Sequence, residues 1–221
     1  MIARPEQIAL PLSEGDPGEP QRIVTGEANR AAVEALRRPE SWPFGTCILA
    51  GPPRSGKSLL ARWFAASSPT AEVIDDAATK PDAIIFHAWN RAQQNGQLLL
   101  LTVDLSEGSA SQDGLFGERG WNIALPDLRS RLGAALQCEI GPPDDAMMAD
   151  LMESHAERRG LVLGEASTAY LMARMTRSFA AAERIVAEID RLSLERKTPP
   201  SRALCRDALE AVEGPSEPYL L

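Results

Sequence analysis

The stretch Gly51-Pro52-Pro53-Arg54-Ser55-Gly56-Lys57-Ser58 has the pattern G-x-x-x-x-G-K-S. Its glycines let a loop backbone aim successive N–H groups at phosphate oxygens. Lys57 adds a full positive charge, and the start of a following helix adds a partial one. Ser58 is the expected hydroxyl ligand of Mg²⁺. The flanks suit this chemistry: the apolar run Thr46–Ala50 precedes the loop, and the apolar-periodic run Leu59–Phe64 follows it. The expected ligand is ADP or ATP with Mg²⁺, held by residues 51–58.

Three other clusters bear on that chemistry. Asp75 and Asp76 close a short apolar segment downstream of the loop. Such carboxylates hold Mg²⁺, here Asp75, or polarise an attacking water; a turn cap is the plainer alternative. Thr102, with Asp104, ends the Leu-rich run Gln97–Thr102. Polar groups at the carboxyl ends of parallel strands face the ligand crevice, or simply solvent. Arg129 and Arg131 lie two apart in Leu125–Leu132. An arginine supplied in trans to a partner's nucleotide would stabilise its transition state; a salt-bridged surface helix explains the spacing equally well.

The amino-terminal Gln7-Ile8-Ala9-Leu10-Pro11-Leu12 sets an amide and two leucines around a proline, within a Pro-rich segment. An extended tail of this kind suits a partner's pocket, with Leu10 and Leu12 buried, Gln7 setting register and Pro11 lowering the ordering cost. Docking on the chain's own domain is the alternative.

The elements needed to position these groups follow from periodicity. A helix is expected from Gly26 to Arg38, stopped by Pro39, and a strand before the loop with a helix after it. A short strand over Ala71–Asp76 precedes a helix from Pro81 to Gln94, with Ile84, Ile85, Ala88 and Trp89 on one face. Next come the Leu-rich strand, a long loop over 104–122 with Trp121 exposed, a helix over Pro126–Leu132 and a strand over Ala134–Ile140. Strands alternating with helices imply a parallel, helix-covered sheet. Beyond Gly141-Pro142-Pro143 the pattern is helical only, with caps at Asp144 or Asp145 and at Ser201. The expected organisation is a tail over 1–20, an α/β nucleotide-binding domain over 21–141 and a small all-helical lid over 142–221.

Composition sets bounds. The chain has 221 residues, 44% of them hydrophobic, and a net charge of −8. An acidic chain is poorly suited to nonspecific DNA binding, which needs clustered Lys and Arg. Cys47, Cys138 and Cys205 are too dispersed for a metal pair and are expected as buried thiols in a reducing compartment. No apolar run approaches a membrane span, so a cytoplasmic location is expected.

Together these motifs resemble the AAA+ ATPase superfamily and, within it, the Hda-like regulators related to the bacterial initiator DnaA. The resemblance covers nearly the whole chain. It likens Gln7–Leu12 to the tail motif with which such proteins bind the sliding clamp (the β subunit of DNA polymerase III). It likens Gly51–Ser58 to their phosphate loop, and Asp127–Leu132 to their arginine-finger box with Arg131 as the finger. The fold implied is a P-loop AAA+ core followed by a helical lid. The function implied is inactivation of DnaA by promoting hydrolysis of its bound ATP while docked on the DNA-loaded clamp, with DNA reached only through the clamp. Self-association is a further expectation.

Two departures from the family pattern have consequences. Only 18 positions separate Lys57 from Asp75. A helix of about ten residues and a turn fill that interval, so a truncated, four-stranded sheet is expected. Ala180 stands where the family's lid carries a sensor arginine, which implies weak or absent intrinsic ATPase activity. A helicase-loader-like ATPase acting in cis and a nucleotide-free scaffold are the competing functions.

Overall fold

The computed structural model describes residues 7–9, 22–105, 115–116 and 120–214. The chain divides into two compact units. One runs from Glu27 to Gly141; the other gathers Pro142 onward with the described residues up to Gly26.

The first unit is built on a parallel four-stranded sheet. β3 (Thr46–Gly51) and β5 (Leu99–Asp104) lie at its centre, flanked by β4 (Glu72–Ile74) and β6 (Leu136–Glu139), in the order β4-β5-β3-β6. β3 is buried along its whole length and β5 up to its last residue. That is why both read as unbroken apolar runs rather than alternating ones. One face carries Ile48, Leu99, Leu101 and Val103 against Ile85, Ala88 and Ala92 of α3 (Asp82–Asn95) and Leu128 and Leu132 of α4 (Pro126–Gly133). Side chains alternate along a strand, so Cys47 and Leu49 point to the opposite face. Helices α1 (Arg30–Arg37) and α2 (Lys57–Ser67) supply cover there, with Phe64 stacked on Trp42 at 4.9 Å. The sheet is as short as the 18-position interval requires: β4 follows α2 directly.

The second unit has four helices: α5 (Asp145–Glu157), α6 (Glu165–Met172), α7 (Phe179–Arg196) and α8 (Arg202–Glu213). Met148, Met152, Leu171, Ile185, Val186, Ile189, Leu204 and Leu209 form its core. The methionine stripe is packing, as unbranched side chains fill the gaps between crossing helices. Three helices start with side-chain caps: Asp144 accepts from the Met147 N–H, Ser178 from Ala181 and Ser201 from Leu204. Each satisfies an N–H that the helix itself leaves unpaired.

Several expectations need correction. Gln7–Ala9 (β1) is not a free tail segment: its backbone pairs antiparallel with Arg22–Val24 (β2). β2 packs on α5, and Ile23 and Val24 are buried, so residues 22–26 group with the helical unit. Trp121 is only 3% exposed; its N–H group donates to Leu115 O and its ring meets Phe116 at 6.0 Å. It is therefore core, not a contact surface. Ile84 is 51% exposed; Ala92 takes its place on the buried face of α3, at the i+7 spacing from Ile85. Among the described residues no helix is long and apolar enough to cross a membrane.

Candidate functional site

The phosphate loop joins the carboxyl end of β3 to the start of α2. Gly51 is needed for close approach: a Cβ there would lie 2.9 Å from Ile140 Cβ and 3.1 Å from its carbonyl oxygen. Gly56 adopts φ +87°, a left-handed conformation that glycine takes without steric cost. Arg54 shares that region at φ +65°. These residues turn the chain tightly enough to bring Ser55 and Lys57 inward, and both are buried. Pro52 and Ser58 are half-buried, whereas Pro53 and Arg54 are exposed.

Lys57 sits at the first position of α2. Its ammonium donates to Gly51 O at 3.0 Å, Pro52 O at 2.7 Å and Ser55 Oγ at 3.2 Å. It also ion-pairs with Asp104 Oδ1 at 2.7 Å. Asp104 reaches it because the parallel register sets Asp104 directly opposite Gly51. Sequence reasoning names Asp104 only as a strand end; its role depends on the register, which no local signal reveals. No side chain caps α2 and no acidic residue lies in its first turn. An uncapped helix start led by a buried ammonium is a fitting donor set for phosphate oxygens.

Thr102 is fully buried and does double duty. Its hydroxyl accepts from the Asp76 N–H at 2.9 Å and donates to Asp75 Oδ1. Asp76 takes a left-handed φ of +52°, which turns the chain away from the end of β4. Thr102 thus fixes both aspartates at the carboxyl edge of the sheet, the edge from which the phosphate loop emerges. No cluster of metal-ligating side chains is assembled among the described residues.

Arg131 is placed elsewhere. It lies in the last turn of α4, which runs into the amino end of β6, and β6 is parallel to β3. Lys57 therefore follows the carboxyl end of β3, and Arg131 lies in the helix that leads into the amino end of β6. Its guanidinium stacks over Trp89 at 4.4 Å and Phe86 at 5.0 Å, donates to Asn90 Oδ1 at 2.8 Å and pairs with Asp127 at 2.8 Å. The seat on α3 has i, i+3, i+4 spacing, the one local signal that could have found it. Arg129 instead donates to Phe116 O.

Of the tail residues, Gln7 lies in β1, and Leu10, Pro11 and Leu12 lie outside the described residues. Arg177, near the Ala180 position, is held by Asp145 within the helical unit.

Sequence comparison finds no matching family model and no matching curated protein. Solved structures are similar in fold. Domain III of the Thermotoga maritima replication initiation protein DnaA superposes with a TM-score of 0.68 at 14% identity, over 87% of this chain and 95% of that one. A replication initiator DnaA bound to AMPPCP and single-stranded DNA gives 0.56 at 17% identity, over 79% and 66%. The Thermotoga maritima RuvB Holliday junction branch migration motor gives 0.55 at 16%, over 86% and 70%. The chain shares the α/β fold of these structures, built here on a four-stranded parallel sheet among the described residues.

Proposed function

We propose that this chain is a nucleotide-binding regulator of replication initiation that acts on the ATP of DnaA rather than on its own. The observation that carries this reading is the placement of its two special cations. Lys57 lies inside the loop over 51–58, and Arg131 lies on α4, which leads into the amino end of β6; this separation in the fold supports reading Arg131 as a group for another molecule's nucleotide. ADP or ATP is held by Gly51 to Ser58, with Thr102 at the same edge and Mg²⁺ on Ser58 and Asp75. Bound nucleotide supplies a charged group that orders the loop. The chain's own residues then do the rest: Lys57 binds, Thr102 orients Asp75 and Asp76, and Arg131 reaches the partner. Docking on the sliding clamp through Gln7, Leu10, Pro11 and Leu12 brings the chain to DNA indirectly.

The test is stimulated hydrolysis of DnaA-bound ATP in the presence of the DNA-loaded clamp. Arg131→Ala is expected to lower the stimulated rate by about 10³ or more, by analogy with other arginine fingers. Clamp binding and the circular dichroism spectrum should be unchanged. Full stimulation by Arg131→Ala would refute the finger assignment.

One observation favours a second reading, an ATPase acting in cis. Thr102 holds Asp75 and Asp76 rigidly at the loop's edge of the sheet. Turnover by the purified chain, lost in Lys57→Ala, would support it. Failure to bind ADP or ATP at all would leave the scaffold reading.

A further inference from the structure

The helical unit carries a groove that the phosphate chemistry does not use. It has a volume of about 580 Å³ and opens between α5, α6 and their connection. Ala149, Glu153 and Ala156 recur at helical spacing on α5, and Glu165, Ala169 and Met172 on α6. These spacings put one face of each helix toward the groove. The small alanines leave it open. Leu161 and Leu163 line it from the connection, and Val162 between them is 83% exposed.

The groove is also charged with one sign. Asp150, Glu153, Glu157 and Glu165 line it, Asp150 and Glu157 with partners of their own, and among the described residues no Lys or Arg does. The nearby Arg159 is turned back, donating to the His155 carbonyl oxygen. An apolar floor under a ring of carboxylates is complementary to one kind of occupant. We propose that this groove docks a basic amphipathic helix of a partner protein, with Leu or Met side chains on the floor and Lys or Arg on the rim. The chain's own termini fit poorly. Residues 1–6 carry one cation, Arg4, offset by Glu6, residues 10–21 carry Glu14, Asp16 and Glu19 with no cation, and residues 215–221 carry Glu217 with none. A second copy, at net −8, is repelled as well. This proposal does not rest on the nucleotide reading.

The probe is a synthetic helix-forming peptide with Leu at i, i+3, i+4 spacing and Lys elsewhere, titrated into the full chain by fluorescence anisotropy. Its scramble has the same composition without the apolar face. The periodic peptide should bind at least about tenfold more tightly than the scramble. Ala169→Trp, which fills the groove, and Glu153→Lys, which reverses the rim, should each weaken it by about tenfold. Both positions are exposed, so both variants should keep the wild-type circular dichroism spectrum. Equal binding of the scramble, or unchanged binding by both variants, would overturn the proposal. So would concentration-dependent self-association that Ala169→Trp abolishes, since the groove would then belong to a second copy.

Discussion

The two units differ in how most of their helices start, α6 of the helical unit being without a side-chain cap. In the helical unit α5, α7 and α8 each begin with a side chain that caps the first turn. In the α/β unit no helix has such a cap, and α2 begins with a buried lysine instead. A capped start satisfies its own N–H groups and contributes about 1 kcal/mol. An uncapped one forgoes that and keeps its donors for a ligand. The α/β unit gathers Arg54, Gly56 and Asp76 with left-handed backbone, and buried Ser55, Lys57 and Thr102, at the carboxyl edge of its sheet, although Phe44, Gly45 and Gly96 also take positive φ elsewhere in that unit. Such exceptions to local rules mark functional sites.

The comparison can be broken most directly at Lys57. Lys57→Ala should weaken ADP and ATP binding by about 2–3 kcal/mol, the scale of charge-assisted hydrogen bonds. Isothermal titration calorimetry measures this. Unchanged affinity would mean that the uncapped start of α2 is not a ligand site.

A pH series sharpens it next, because both units bury thiols. The hydrogen bond with Cys138, together with burial, pushes the Cys47 thiol up, and burial pushes Cys205 up against an opposing hydrogen bond from Ser167. A raised acid pKa means the folded state keeps its proton where the unfolded state releases it. Stability is therefore intact below the ordinary thiol pKa of about 8.5 and falls above it, by up to about 1.4 kcal/mol per pH unit for Cys205, while in the Cys47–Cys138 pair the same hydrogen bond lowers Cys138 and offsets part of the effect of Cys47. Melting temperatures should drop between pH 8 and 10, and less so in Cys205→Ala. A flat profile would place the thiols in contact with solvent.

Ser201→Ala should cost about 1 kcal/mol of stability, read by urea denaturation, with no change in nucleotide affinity. An effect on affinity would blur the division of labour between the units. The smallest effect is expected at Asp104. Its carboxylate is half-exposed and competes with phosphate for Lys57, so Asp104→Asn should tighten nucleotide binding by about 0.5–1 kcal/mol. Weaker binding would instead make Asp104 part of the ligand's own shell.

How much of this was legible in the sequence follows from the range of each interaction. The central strands β3 and β5 were readable because burial on both faces imposes continuous apolar runs, and Asp144 and Ser201 because a cap acts within three residues. The four-stranded sheet follows from arithmetic on 18 positions. The pairing of Gln7–Ala9 with Arg22–Val24 left no trace, since three-residue strands are too short to show a period. Trp121 reads as exposed because its cover, Leu115 and Phe116, lies in a loop without pattern. The seat of Arg131 on Trp89 and Asn90 and the partnership of Lys57 with Asp104 span dozens of residues, and only the assembled sheet creates them.

The shortened sheet leaves β4 as an edge strand among the described residues. A bare edge is a template on which other chains can add, so losing a strand ought to invite aggregation. Here β4 is only three residues long, and it starts with Glu72, whose carboxylate is held by Arg91 of α3. Adding a foreign strand would gain few ladder bonds and would crowd a fixed charge pair. The truncation thus carries its own guard against misassembly, and a β-branched, uncharged residue at position 72 would remove it.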